Sequence, residues 1–364
     1  MAYCYEEKAC PENRKIFIES LCFSSAVSGI LKKVKTDRPG AAGVKGERLM
    51  PAMITHYLFA QRVMAKCRQA GIPIADRDAA LIGAQGPDIF FFHRVMPWQR
   101  GVSYARQGSL LHKRSPARLF EAFRAVLNRE TAQREQMLGY VEGFFCHYAL
   151  DRSIHPFVYY WQEQLHQEDP GYGKNGHAYH FRIESALDTI ALRRETGRLI
   201  RDFRLKTVLP EDENNLYLAV GRLYRPVFDH LLGLPGADAK HIALAPGDMR
   251  RAAAMMTDRS LIRQRLLRPV ETIGGQGHIA TSLLRPAKTD DWDYANESRR
   301  QWANPYDEKM TSRDSFFDLY ELAADEAVTM IGEFLEALPE GKSMLAITQD
   351  RGFSSDLPGI YTEK

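Results

Sequence analysis

The chain has 364 residues, of which 45% are hydrophobic and 26% charged, with a formal net charge of +3. That is the balance of an ordinary soluble globular protein, long enough for one large domain or two smaller ones. So small a net charge makes no case for a specific nucleic-acid partner, which calls for a concentrated basic face, and no run approaches the ~20 apolar residues of a membrane span.

Five cysteines (Cys4, Cys10, Cys22, Cys67 and Cys146) are odd in number and lack CxxC spacing. They argue against a complete disulfide framework and fit a reducing compartment. Glu6, Glu7, Glu12 and Glu19 interrupt the N-terminal stretch, which does not read as a secretory signal. The expected location is therefore cytoplasmic.

In chain order, residues 1–49 read as an N-terminal extension that ends in a linker-like stretch from Lys35 to Gly46, with a short packed helix over 16–31 as the alternative. From Met50 the apolar spacing is helical nearly throughout. It predicts helices over 55–67, 116–128, 136–154, 179–195, 213–232, 246–267 and 314–338, and no alternation long enough for a sheet. The predicted fold is all-α, a multi-helix bundle-like domain. Residues 50–200 are its expected metal-binding core, 201–345 are helices packed on that core, and 346–364 are a tail.

The chemistry concentrates in the helix over 136–154. His147, Asp151 and His155 follow one another at four-residue steps, which return side chains to nearly the same helix face. His180 and Glu184 repeat the step on the next helix. A carboxylate buried among imidazoles is costly unless a cation removes the cost. Three more segments offer ligands within apolar sequence: His56, Asp88 after Pro87, and His112. Each alone reads as an ordinary hydrogen-bonded core or turn residue. Together, five histidines and three carboxylates are the ligand types of zinc, and they exceed one tetrahedral shell. The lack of paired thiolates favours a catalytic cluster over a structural finger.

Other residues carry less. Cys146 sits about 100° around the helix from His147 and reads as a small buried hydrophobe. His93 reads as a surface or packing residue. Asp188 is either a partner that orients a ligand or an exposed charge. The arginines from Arg250 to Arg268 read as a solvated helix face, and the aromatic groups around Phe91 and Tyr160 as core. Gly274 to Gly277 do not form a phosphate-binding fingerprint, and no GxSxG elbow is present.

The segments Thr55-His56, Gly86-Pro87-Asp88, Leu111-His112, His147-x3-Asp151 with His155, and His180-x3-Glu184 span residues 50 to 190. In order and residue type this set resembles the bacterial zinc-dependent phospholipase C family, whose all-helical fold and ligand order recur in single-strand-specific zinc nucleases. The resemblance implies one zinc among Asp88, His112, His147 and Asp151 and a second held by His155, His180 and Glu184. His56 with Asp151 would reach towards a third.

Two departures bear on this. In the secreted phospholipases an N-terminal tryptophan binds the third metal, whereas here no tryptophan precedes Trp98, so a third site would need processing near Met50 or Pro51. Pro156 directly follows His155 and disfavours a helical His155, which is expected on the turn leaving the helix. His177 is the alternative to His180, which is preferred for its step to Glu184.

The implied activity is hydrolysis of a phosphoester, a phospholipid head group first, by metal-activated water, with Asp88 as general base and transient contact with a membrane surface. The rivals are a nuclease or nucleotide phosphohydrolase on the same scaffold, and a helical protein that holds metal without catalysis.

Overall fold

The computed structural model describes residues 52–96, 98–172, 176–256, 284–285 and 289–354. Over these residues the chain forms α1 (Met53–Gln69), α2 (Arg77–Gly83), α3 (Ala105–His112), α4 (Pro116–Leu127), α5 (Arg134–Glu168) and α6 (Gly176–Thr196). Then follow α7 (Leu216–Pro226), α8 (Ala239–Ile242), α9 (Leu244–Met256), the strands β1 (Trp302–Asn304) and β2 (Asp307–Ser312), α10 (Phe316–Glu340) and α11 (Met344–Thr348). A 3-10 helix, Gly86–Phe92, follows α2, and a π-helical turn, Val227–Leu231, prolongs α7. The fold is all-α, as the apolar spacing predicts. The N-terminal extension, Arg259 to Arg268 and the Gly274–277 loop lie outside the described residues.

Local chemistry sets the helix starts. The Asp76 carboxylate accepts from the Ala79 N–H at 2.8 Å to open α2. Ser115 caps α4 in the same way, with Pro116 in the first turn. A reciprocal capping box between Ser315 and Asp318 opens α10, and Gly341 at φ 69° closes it.

Helix α5, 35 residues long, is the axis of the molecule and is buried almost continuously from Met137 to Val158. Helices α1, α2, α6 and α10 pack around it, and the buried apolar residues from Met53 to Phe353 form one cluster. The helix continues through Pro156, so His155 does not lie on an exit turn. An internal proline costs about 3 kcal/mol. Beyond it Phe157, Val158, Trp161 and Leu165 are all buried, and at about 1.5–3 kcal/mol for each such side chain their packing outweighs that cost.

A second departure is the antiparallel hairpin, which pairs Trp302 with Ser312 and Ala303 with Thr311 before a bulge. Sequence periodicity missed it because β1 has three residues and β2 is exposed along almost its whole length. Trp302 fastens it to α5 by packing against Phe157, with ring centroids 5.7 Å apart.

Glycines bring α2 onto α5. A Cβ on Gly143 would fall 1.9 Å from the Ala80 carbonyl oxygen, and one on Gly83 would fall 2.0 Å from that of Tyr140. The two backbones touch, which delivers the 3-10 helix to the face of α5 that carries His147. Replacing Gly143 by Ala should force α2 outward and destabilise the fold by about 1–3 kcal/mol. Urea unfolding should show this as a lower midpoint at unchanged slope.

Candidate metal centre

All eight predicted ligands meet in the interior, and none is more than 7% exposed. His56 comes from the first turn of α1, Asp88 from the 3-10 helix, and His112 from the last residue of α3. His147, Asp151 and His155 come from α5, and His180 and Glu184 from α6. The side chain of His177 lies outside the described residues.

Two groups form. In the first, Asp151 is the hub. One oxygen lies 3.4 Å from His56 Nε2, and the other lies 3.1 Å from His147 Nε2 and 3.7 Å from His112 Nε2. Asp88 Oδ1 joins this group 3.3 Å from His112 Nε2. Ligand atoms of His56, Asp88 and His147 lie within 4.8 Å of one another, as do those of His112, His147 and Asp151. His56 thus belongs with the first group as much as with Asp151. In the second group His155, His180 and Glu184 converge, with His180 Nε2 3.1 Å from Glu184 Oε1.

The surroundings prepare these side chains to bind a cation. Each of three histidines donates its Nδ1–H to an oxygen: His112 to the Gly108 carbonyl at 2.8 Å, His155 to the Phe353 carbonyl at 2.9 Å, and His180 to Gln162 Oε1 at 3.0 Å. In the neutral imidazole that leaves a lone pair on Nε2. For His112 and His180 this lone pair faces a carboxylate oxygen. Lone pair against lone pair is repulsive, so a cation belongs between them. A proton serves one such pair, whereas a metal ion serves a whole group, and ligating histidines hold their other nitrogen in this way.

Energetics point the same way. Among the predicted ligands, buried atoms without a hydrogen-bond partner among the described residues include His56 Nδ1, Asp88 Oδ1, both ring nitrogens of His147, Asp151 Oδ2, His155 Nε2 and Glu184 Oε2. At roughly 1–3 kcal/mol each they would cost as much as the roughly 5–15 kcal/mol by which a domain is stable. Burial pushes the carboxyls of Glu184 and Asp88 above the ordinary carboxylate range. Burial pushes Asp151 up too, but His147, His155 and His56 around it outweigh burial and hold it well below that range. His56 is lowered to about 3 by burial, with His147 beside it. These eight residues fit a bound metal, and the buried groups are of a kind that could hold one.

The walls are tight. Gly86 has φ +52°, and a Cβ there would sit 2.2 Å from His147 Cδ2, so the ring is seated against bare backbone. Phe91 stacks on His112, and Tyr159 stacks on His155. Phe90 to Phe92 and Trp161 are core, as expected. A cavity of about 20 Å³ lies among His56, Asp151, His155 and Glu184, room for about one water.

Residues 348–353, from the stretch read as a tail, close the site, and Asp188 secures it from within. Phe353 is fully buried, gives His155 its acceptor, and lays its ring against His112 and His147. The Tyr148 hydroxyl donates to the carbonyls of Thr348 and Arg351, and Asp350 accepts from Ser115. No pattern in a stretch this short announces a backbone acceptor. Asp188 orients no histidine. It is fully buried and accepts from the Thr55 N–H and hydroxyl and from Arg285, and so holds the turn that carries His56. Cys146 is buried and burial raises its thiol well above the ordinary range, which leaves it a packing residue.

No protein-family model, no curated protein and no solved structure gives a significant match to this chain.

Two outcomes follow. A chain ended after Arg351 should bind metal at the second group about 10–100-fold more weakly than one ended after Ser354, by competition with a chelating dye. His93 is fully buried, accepts from the Tyr104 N–H at Nδ1, and donates from Nε2 to the His241 carbonyl. Burial lowers it to about 4. The unfolded chain protonates this group near 6.5, so its contribution is present above that pH and is lost as pH falls from about 6.5 to about 4, by roughly 2–4 kcal/mol. His93→Gln should flatten that part of the stability-against-pH curve in urea titrations.

Proposed function

We propose that this protein is a zinc-dependent phosphoester hydrolase that cleaves the head group of a phospholipid. The observation that carries the reading is the convergence of His112 and His180 on buried carboxylates, with Nε2 3.3 Å from Asp88 and 3.1 Å from Glu184 while each Nδ1–H donates to an oxygen. The donor set supports zinc, since it is imidazole and carboxylate without thiolate. The second group supports catalysis, since three protein ligands leave a coordination position for water or substrate. The order and type of ligands along the chain support phosphoester chemistry, through their resemblance to zinc-dependent phospholipases C.

Zinc held here would polarise a phosphoryl oxygen and bring the pKa of water to about 7. The chain's own residues do the rest. Asp151 keeps its negative charge among the imidazoles and sets their spacing. Asp88 orients the attacking water and takes its proton; Gly86 and the 3-10 helix fix where its carboxyl stands. The leaving alkoxide takes its proton from solvent.

The tight walls and the cavity of about 20 Å³ favour a second reading, a closed metal cluster kept for structure.

Plasma mass spectrometry on protein purified without chelator should find about two to three zincs per chain, fewer in His147→Ala and Glu184→Ala. Short-chain phosphatidylcholine should be hydrolysed, and Asp88→Asn should cut kcat at least about 100-fold with most zinc retained. Zinc without turnover of either this lipid or single-stranded oligonucleotides selects the structural cluster. Absence of zinc, before or after its addition, sinks both readings.

A further inference from the structure

From residue 89 through 120 the chain carries six basic residues, Arg94, Arg100, Arg106, Lys113, Arg114 and Arg118, and no acidic one. Within this stretch a loop follows the 3-10 helix that bears Asp88 and precedes the helix that ends in His112. It is well pinned. The Arg94 N–H and the Gln99 amide both donate to Asp248, at 2.8 and 2.7 Å, the Gln99 carbonyl oxygen accepts from the Met96 N–H, and the Arg94 guanidinium donates to the Arg100 carbonyl.

So firm a loop nevertheless presents Trp98 and Val102 to solvent, 62% and 67% exposed. Leu244, 37% exposed, begins α9 three residues after His241, whose ring meets the Val102 backbone. Trp98 and Val102, four residues apart on this loop, and Leu244, joined to it through His241, are three of the six exposed large hydrophobic residues among those described. Arg100, Arg106 and Lys240 are exposed around them. Asp238 is an exposed acid beside them, while Asp248 is fully buried with its carboxylate engaged by Arg94, Gln99 and Arg251.

An exposed tryptophan that shares its loop with an exposed valine and with arginines matches the chemistry of an anionic lipid surface. Indole settles at the head-group level, and each nearby Lys or Arg adds to the attraction. Single-stranded nucleic acid would also attract arginines, but it stacks on aromatic platforms, and two of the three apolar residues here are aliphatic. We propose that this corner docks the protein on an anionic phospholipid bilayer, with Trp98, Val102 and Leu244 entering the head-group region and Arg100, Arg106 and Lys240 meeting lipid phosphates. The proposal deepens the phospholipid reading above and rests on it for its biological purpose, though binding is measured apart from turnover.

The experiment is flotation of the full chain with vesicles of phosphatidylcholine alone and of equal parts phosphatidylcholine and phosphatidylglycerol, with tryptophan emission recorded alongside. The anionic vesicles should bind the protein and shift the emission to the blue, and quenching by brominated lipid should report Trp98. The shift should disappear in Trp98→Ser, and Arg100→Gln should weaken binding about fivefold. Both variants should keep the wild-type zinc content and thermal midpoint. Failure to bind anionic vesicles, or undiminished binding by both variants, overturns the proposal, as does binding to single-stranded oligonucleotide in its place. Vesicle binding without any lipid hydrolysis upholds the docking corner and counts against the hydrolase. Hydrolysis of soluble short-chain lipid without vesicle binding does the reverse.

Discussion

The structure depends on one electrostatic constraint: three carboxylates and five imidazoles are held out of water with their lone pairs turned towards one another. In water such groups cost nothing to keep. In the interior each needs a partner, and several of these atoms find none among the described residues. Asp151 is the hub of the arrangement because it is the carboxylate that the surrounding imidazoles keep charged in spite of burial. Asp88 and Glu184 are pushed the other way by the same burial. Buried groups divided in this way could hold a metal ion in place of protons.

Much of the fold serves to hold that arrangement in place. The 3-10 helix reaches His147 only because α2 and α5 touch backbone to backbone at Gly83 and Gly143, and because Gly86 leaves room for the ring. Helix α5 carries ligands at three successive steps only because it does not break at Pro156. Asp188 and Arg285 secure the turn that holds His56. At the other end of the sequence, Phe353 returns to give His155 its acceptor and to cover His112 and His147. Residues far apart in sequence thus act on a few ring nitrogens, and the order they impose is the preorganisation that a catalytic metal site needs.

Enclosure and reactivity pull in opposite directions here. Tight walls strengthen every charge interaction in the centre, yet under the proposed function a phosphoester must reach it. The pinned basic loop between the ligands Asp88 and His112 offers one way to reconcile the two. Under the proposed docking, the lipid-facing residues Trp98, Arg100, Val102 and Arg106 lie on the same stretch of chain as the candidate ligands Asp88 and His112.

The sequence alone determined the longer helices, whose apolar residues recur at a spacing that side-chain burial imposes locally, but not the short ones, Arg77–Gly83, Ala105–His112, Ala239–Ile242 and Met344–Thr348. It also pointed to the candidate ligands His147 and Asp151 on one helix and His180 and Glu184 on another, which keep their four-residue step whatever the rest of the chain does. His93, Cys146 and the aromatic groups behave as the packing residues that their apolar neighbours suggest. The continuation of α5 through Pro156, the hairpin pinned by Trp302, the fully buried Asp188 and the place of Phe353 were decided by tertiary structure. Each rests on contacts between residues distant in sequence. A local proline penalty is outweighed by burial farther along the helix, a three-residue strand takes its stability from the helix beneath it, and a backbone carbonyl has no signature in the identity of its side chain. Local periodicity reports which face of a helix is buried, and only the folded chain decides what that face meets.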